Sequence, residues 1–193
     1  MPKSTNNTAN VSVGKGVKGG YFFSAPVGTE LPTAFDTTAE SLDAAFVNLG
    51  YISDDGFENE IDQDSDTFQD INGDTIESGN SSYTETVTLT LVEQKKDTLS
   101  EEYGHGNVTD ENGQITVKHN SLPKDRRSYV LLLLLKDGRR QTTVIPEGQV
   151  TEVGSKQYSS TELVGREITI TCFPDGNGDC VLDYIQSTET SAD

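Results

Sequence analysis

Residues 84–91 read TETVTLTL, and this strict alternation decides the fold class. Successive side chains of an extended strand point to opposite faces, so the alternation separates two kinds of side chain completely. One face carries Thr84, Thr86, Thr88 and Thr90, and the other carries Val87, Leu89 and Leu91. The segment is therefore predicted to be a β-strand that is buried on one face and meets water on the other.

Further strands are predicted in the second half of the chain, where β-branched and aliphatic residues are dense. They cover residues 114–119, 127–135, 140–146, 166–173 and 181–185. Residues 136–138 (KDG) are expected to join the second and third of these as a hairpin, and the last strand is expected to pair with residues 168–173. This pattern predicts a mainly β protein, a β-sandwich or open barrel with one or two flanking α-helices.

Two helices are predicted beside these strands. Residues 38–49 follow a capping-box spacing at Thr37 and Glu40, and Gly50 stands where a C-cap glycine belongs. The apolar residues of this segment recur at helical intervals, and they are Leu42, Ala45, Phe46 and Leu49. A second helix is predicted over residues 93–103, ending at Gly104.

Two other segments indicate how the strands are connected and covered. Residues 51–80 are acidic and contain Asp55-Gly56 and Asn72-Gly73, which predicts hairpins or a long loop between strands. Residues 130–135 (VLLLLL) are apolar on both faces, so this strand is expected to be covered on both sides. One side would be the core of the sandwich. The other would be covered by the flanking helix, by other parts of the same subunit, or by a neighbouring subunit.

Charge is segregated along the chain. Residues 19–94 contain no lysine or arginine but 16 of the 32 acidic residues, in a chain of 193 residues with a net charge of −18. The first 20 residues invert this pattern, with Lys3, Lys15 and Lys18 and no acid. Such a molecule is expected to repel free nucleic acid. The segregation predicts either solubility alone or an arm that docks on the acidic body of a second copy, with these three lysines as the candidate inter-subunit residues.

Three domain segments follow from this reading. Residues 1–20 are predicted to be a flexible basic arm that becomes ordered on contact with a partner. Residues 21–187 form the β domain, and residues 188–193 are a disordered C-terminal tail. The longest aliphatic run is too short to span a bilayer, so no membrane partner is expected.

Catalytic and cofactor motifs are weak. Residues 14–19 (GKGVKG) match a dinucleotide-binding pattern, but an aromatic run and a proline follow instead of a helix, so the match is rejected. Asp62, Asp64 and Asp66 have the spacing of a calcium loop, yet Thr67 and Gly73 stand where glycine and glutamate are needed. No catalytic residue, cofactor or metal site is predicted, and weak cation binding by the acidic loops is left open.

The two cysteines suggest packing more than chemistry. Cys172 shares a strand face with Ile168 and Ile170, so a buried thiol is expected. Cys180 could approach it across the intervening turn, so a disulfide is left open, although two cysteines in a reducing cytosol usually stay free.

Five short stretches, taken in order, resemble the major tail tube proteins of long-tailed bacteriophages. They are residues 42–56 (LDAAFVNLGYISDDG), 126–130 (RRSYV), 136–139 (KDGR), 144–154 (VIPEGQVTEVG) and 173–176 (FPDG). The resemblance runs from about residue 10 to residue 185. Each stretch is short and structural, so the specificity of the resemblance comes from their order.

The resemblance implies a structural virion protein without enzymatic activity. In that family six subunits form a ring around a lumen, and stacked rings make the conduit for genome ejection. The implied partners are copies of the chain itself, the tape measure protein and the tail terminator and tip proteins, with genomic DNA only in passage. The implied location is the virion tail, after synthesis in the host cytoplasm.

The threonine face at residues 84, 86, 88 and 90 is then the candidate lumen wall, and the outer surface of the tube is the alternative. Two other functions stay open. One is an extracellular or calcium-dependent β-sandwich binding module, and the other is a tube protein of a contractile injection apparatus.

Overall fold

The computed structural model describes residues 6–188, which form eleven strands and one α-helix. In chain order the elements are β1 (Lys15–Gly16), β2 (Phe22–Pro26), β3 (Val47–Asn48), β4 (Ile52–Gln69), β5 (Thr75–Leu91), α1 (Lys96–Tyr103), β6 (Val108–Glu111), β7 (Gln114–Val117), β8 (Arg127–Leu134), β9 (Arg140–Val153), β10 (Arg166–Phe173) and β11 (Leu182–Ile185). No helix in the described part of the chain has the length and apolar character needed to cross a membrane.

Nine of the strands form one antiparallel sheet in the order β3-β2-β8-β9-β10-β5-β4, with β1 also beside β8 and β11 also beside β9. The two edge strands β3 and β4 are joined by residues 49–51 alone. At this link Leu49 donates its backbone N–H to Phe22 at 2.8 Å, and Val92 donates to Tyr51 at 3.2 Å. The short link brings the two edges of the sheet together, so the sheet is an open barrel, which is one of the two predicted architectures.

The interior of the barrel holds the larger apolar cluster. It collects side chains from strands at both edges of the sheet, and its fully buried members include Phe22, Leu49, Leu91, Tyr129, Leu131, Ile145, Ile168 and Ile170. The rings of Phe22 and Tyr129 stack with their centroids 5.9 Å apart. Each such side chain stabilises the fold by about 1.5–3 kcal/mol relative to an exposed one.

A second apolar cluster lies on the outside of the same sheet. Val130 and Leu132 of β8 point outward to it, whereas Tyr129 and Leu131 point inward. Phe46 and Leu42, from the segment between β2 and β3, cover this outer cluster together with residues of β11. Residues 130–133 of the apolar run are therefore buried within one subunit, whereas Leu134 and Leu135 are half-buried.

The predicted helix at residues 38–49 is wrong. The chain makes only a 3₁₀ turn over Ala39–Ser41, where Thr38 and Ser41 form the capping box in place of Thr37 and Glu40. The apolar residues that recur at helical intervals do not share one face. Leu42 and Phe46 cover the outer cluster, whereas Leu49 enters the barrel interior. Gly50 does have a positive φ of 89°, but it serves the link between β3 and β4.

Most other elements lie where the sequence predicts them. Helix α1 ends at Gly104, whose N–H donates to Ser100 at 2.8 Å, and the 136–138 turn joins β8 to β9. The pairing of the last strand is wrong, because β11 pairs with the start of β9 and not with β10. Strands β10 and β11 both pair with the same edge of β9, β10 with its second half and β11 with its first half. The turn between them therefore connects two successive partners of β9 and does not form a hairpin.

Candidate functional site

The longest hairpin of the protein projects beyond the barrel. Strand β10 last pairs with β5 at Cys172 and Glu85. Beyond that point residues 62–84, which we call the ribbon, pair only with one another, and nearly all of them are exposed on both faces. The ribbon turns at residues 70–74, where the Asp70 carboxylate accepts backbone N–H groups of Asn72 and Asp74, each at 2.9 Å. The hydrogen bond from Asp74 is the main reason that the pKa of Asp70 is lowered.

The ribbon combines negative charge with exposed apolar side chains. Its sequence has six acidic residues and no lysine or arginine. Its large apolar side chains at Phe68, Ile71, Ile76 and Tyr83 are 49% or more exposed. A hairpin of two strands is marginally stable without cover, and neighbouring exposed apolar side chains typically mark a surface for another protein.

The threonine face has the predicted geometry. Val87, Leu89 and Leu91 are buried in the barrel interior, whereas Thr84 is exposed and the other three threonines are half-buried on the outer face. On one side this row pairs in register with carboxylates of β4, namely Thr84 with Asp62, Thr86 with Glu60 and Thr88 with Glu58. On the other side the Thr88 and Thr169 hydroxyl oxygens lie 3.0 Å apart. The result is a surface of hydroxyl groups edged by exposed carboxylates.

Sequence reasoning did not predict the row of carboxylates that lies beside the threonines. Asn72-Gly73 signals the hairpin, but bulges at Asp64/Ser65 and Phe68/Gln69 shift its register. Asp55-Gly56, predicted as a turn, lies instead within β4 between two paired positions, where Gly56 has a φ of 79°. The calcium-loop carboxylates Asp62, Asp64 and Asp66 alternate along this strand. Within residues 6–188 no group of three or more His, Cys, Asp or Glu side chains is placed to hold a metal ion.

The basic arm is partly anchored to its own subunit. Lys3 lies outside the described residues. Lys15 and Lys18 are exposed, but Lys15 pairs with Leu134 in the ladder between β1 and β8, and Val17 donates its N–H to Leu132 at 3.1 Å. In this subunit Lys15 and Gly16 therefore belong to the sheet, and Val17 is joined to it by one hydrogen bond. Of the predicted C-terminal tail, residues 189–193 lie outside the described part.

Helix α1 is fixed to the barrel by a buried carboxylate. Glu101 accepts hydrogen bonds from Ser24 Oγ at 2.6 Å and Tyr129 OH at 2.9 Å, and its Oε1 lies 3.2 Å from Arg127 Nε and from His105 Nε2. Burial would raise the pKa of Glu101, but these partners outweigh burial and lower it. The cluster explains why a charged residue can lie inside the protein, and its groups are occupied with one another.

The adjacent Glu102 is buried with less complete pairing. Its Oε2 lies 3.3 Å from Lys156 Nζ and 3.8 Å from Arg166 Nε, while its Oε1 has no hydrogen-bond partner. Burial is the main reason that the pKa of Glu102 is raised. Through Lys156 this carboxylate also fixes the start of the segment between β9 and β10.

Both cysteines are free thiols. Cys172 is buried in the barrel interior as predicted, and burial is the main cause that raises its pKa to about 12. A thiol with such a pKa is a poor nucleophile near neutral pH. Cys172 therefore acts as a small apolar side chain.

Comparison with known proteins identifies the family. A family model described as phage tail tube protein matches residues 4–192. No curated protein matches the sequence. Among solved structures, the tube-terminating cap of the anti-feeding prophage is 15% identical, with a TM-score of 0.44, and the alignment covers 92% of this chain and 96% of that one.

Two other similar structures come from an extracellular contractile injection system in its extended state. Its sheath-tube complex contains a chain that is 16% identical, with a TM-score of 0.41 and coverage of 88% and 92% of the two chains. Its sheath/tube terminator is 14% identical, with a TM-score of 0.37 and coverage of 88% and 96%. Because the family model covers nearly the whole sequence, the chain belongs to the phage tail tube protein family and is a structural tube protein.

Proposed function

We propose that this protein assembles with copies of itself into six-membered rings, which stack into the tail tube that conducts DNA during genome ejection. The observation that carries this proposal is the ribbon at residues 62–84. It leaves the barrel with its apolar and acidic side chains exposed and has only its own two strands for support. Contact with a neighbouring subunit would cover these apolar side chains and stabilise the hairpin.

The threonine face is proposed to line the lumen. Thr84, Thr86, Thr88 and Thr90 present hydroxyl groups, and the carboxylates of Glu58, Glu60 and Asp62 lie beside them. Basic side chains would hold DNA phosphates by releasing counterions. A wall of hydroxyls and carboxylates makes no such contacts, so it keeps a passing duplex mobile.

The basic arm is proposed to contact an adjacent subunit in the assembly. Lys3, Lys15 and Lys18 lie in a stretch without acidic residues, and the ribbon of the next copy has no basic ones. Opposite charges steer two such surfaces together and fix their register. The ends of the tube would bind the tail terminator and tip proteins and its lumen the tape measure protein, while the chain itself supplies structure without catalysis.

The direct test is assembly of the purified full-length protein. We expect negative-stain electron microscopy at rising protein concentration to show rings or tubes, and mass photometry to resolve a six-subunit species. A uniform monomer population at every concentration would contradict the proposal.

The arm has its own test in the same assay. Removal of residues 2–13 retains β1 and its pairing with β8, so we expect the truncated protein to fold with an unchanged melting temperature. It should assemble poorly, because the arm no longer reaches its neighbour. Tubes that form as readily as those of the full chain would show that residues 2–13 have no such role.

A further inference from the structure

The sheet forks at the base of the ribbon. After the last shared pair, Cys172 and Glu85, strand β5 runs on into the ribbon while β10 turns away through residues 174–181 toward β11. A cleft of about 580 Å³ opens between the two branches. Its walls include Tyr83, Glu85, Phe173, Pro174, Cys180 and Val181.

One side of this cleft is an unpaired strand edge. In the described part of the chain, the β5 residues that precede Glu85 pair only with β4. The opposite edge of β5 therefore presents backbone N–H and C=O groups without a neighbouring strand. Such an edge accepts an added extended segment, which gains main-chain hydrogen bonds and places alternate side chains in adjacent pockets.

The chemistry of the cleft indicates what the added segment carries. Phe173, Pro174 and Val181 give it apolar walls, and Glu85 and Asp179 add two carboxylates. The Arg126 guanidinium lies over the Phe173 ring, 3.8 Å from its centroid. The pKa of the Cys180 thiol is raised, first by burial and then by the nearby negative charges of Glu85, Asp175 and Asp179. A matching segment has small apolar residues two positions apart, has no acidic residue, and has a basic residue nearby.

Residues 10–15 (NVSVGK) of the arm have these properties. Val11 and Val13 are 65% and 79% exposed and are two positions apart, so they share one face of an extended chain. Lys15 follows two residues later. Within its own subunit this stretch is held by side-chain bonds at the surface, from Lys136 N–H to Ser12 Oγ at 2.8 Å and from Thr188 Oγ1 to Asn10 Oδ1 at 2.6 Å.

We propose that residues 10–14 of one subunit add as a strand to the free edge of β5 in an adjacent copy, with Val11 and Val13 seated in the cleft. The β1 pairing of Lys15 and Gly16 with β8 stays in place, so the arm pivots at Gly14. This inference rests on the proposed self-assembly, because the cleft is filled by a second copy. Each subunit gives one arm and receives one, which is a heterologous contact that closes around a ring.

Disulfide trapping in assembled tubes tests the contact, because the native Cys180 lines the cleft. In the V13C variant, oxidation with copper phenanthroline should link the new thiol to Cys180 of the next subunit. We expect a ladder of covalent oligomers on a non-reducing gel, since every subunit is both donor and acceptor. V11C should give the same ladder. S12C is the matched control on the opposite face of the arm, and V13C/C180S keeps only the buried thiol of Cys172 in the cleft, so both should remain mainly monomeric.

Other outcomes separate this contact from the proposed function. Wild-type tubes together with a V13C protein that links no better than S12C would overturn the contact and leave self-assembly intact. An intrachain link without a mass increase, or covalent dimers alone, would also overturn it. A wild-type protein that forms no rings or tubes would overturn both. As a measurement without cross-linking, V11S/V13S should raise the protein concentration needed for assembly at least tenfold. V27S changes an exposed valine outside the arm and the cleft and should leave that concentration unchanged.

Discussion

Glu101 is the residue on which the attachment of α1 depends most. Its carboxylate is buried and contacts groups from β2, β8 and the segment after α1, through Ser24, Tyr129, Arg127 and His105. These partners are up to 77 positions away in the sequence. No local pattern distinguished Glu101 from the many exposed acidic residues of this chain, so sequence reasoning could not find the cluster. It could find the threonine face, because strand alternation is a local property.

The first prediction concerns removal of the charge at this position. Glu101→Gln leaves the Arg127 guanidinium buried without a counter-charge, so we expect the free energy of unfolding to fall by about 3–5 kcal/mol. Asp97→Asn is the matched carboxylate-to-amide change in the first turn of the same helix and should cost less than about 1 kcal/mol. Urea unfolding followed by circular dichroism measures both, and equal costs would contradict a special role for Glu101.

The second prediction concerns the pH dependence of that contribution. The pKa of Glu101 is lowered in the folded state, so its stabilisation is complete above the unfolded pKa of about 4.3 and is lost as pH falls through the folded value. The difference in unfolding free energy between the wild type and Glu101→Gln should therefore shrink below about pH 4.3. Repeating the measurement with His105→Asn removes the contact between the imidazole and Glu101 and leaves the other partners of Glu101 in place. A difference that stays constant down to pH 3 would contradict this assignment.

Glu102 should show the opposite trend. Its pKa is raised, mainly by burial, so the ionised carboxylate costs stability at neutral pH and that cost is relieved as pH falls through the raised value. The two neighbouring glutamates therefore differ because one has a full set of partners and the other leaves Oε1 unpaired.

At the scale of elements, strands were easier to predict than the segments that cover them. The bounds of β8 and β10 follow local alternation or a continuous apolar run, and both were found almost to the residue. The predicted helix at 38–49 failed because its apolar residues serve two clusters on opposite faces of the sheet. A periodic pattern does not show that its residues share a partner, since this depends on how the sheet closes.

The third prediction tests the ribbon as an element separate from the fold. Residues 62–84 are replaced by Asn-Gly, which joins the paired residues Ile61 and Glu85 by a two-residue hairpin turn. No member of the barrel core lies in the deleted stretch, so the melting temperature should change by less than about 4 °C. The shortened protein should remain monomeric where the full chain assembles. Normal tubes from it would show that the ribbon is not a subunit interface.

At the scale of the whole molecule, charge segregation left two interpretations open, which were solubility alone and an arm that docks on the acidic body of a second copy. The structure adds that the acidic residues of β4 lie beside the threonine row, so hydroxyls and carboxylates share one outer surface. The sequence could not place this surface relative to a tube axis, because that depends on neighbours that a single chain does not contain.

The fourth prediction decides whether this surface faces the lumen. Thr86→Lys with Thr88→Lys puts two cations between the carboxylate row and β10, where they would hold passing phosphates by releasing counterions. Virions with this change should assemble but eject DNA slowly, and added salt should relieve the defect because phosphate contacts weaken steeply with ionic strength. Thr109→Lys with Thr116→Lys adds the same charge at an exposed cross-strand pair of the β6–β7 hairpin and should eject normally. If the Thr86/Thr88 variant also ejects at the normal rate at low salt, the threonine face lies on the outside of the tube.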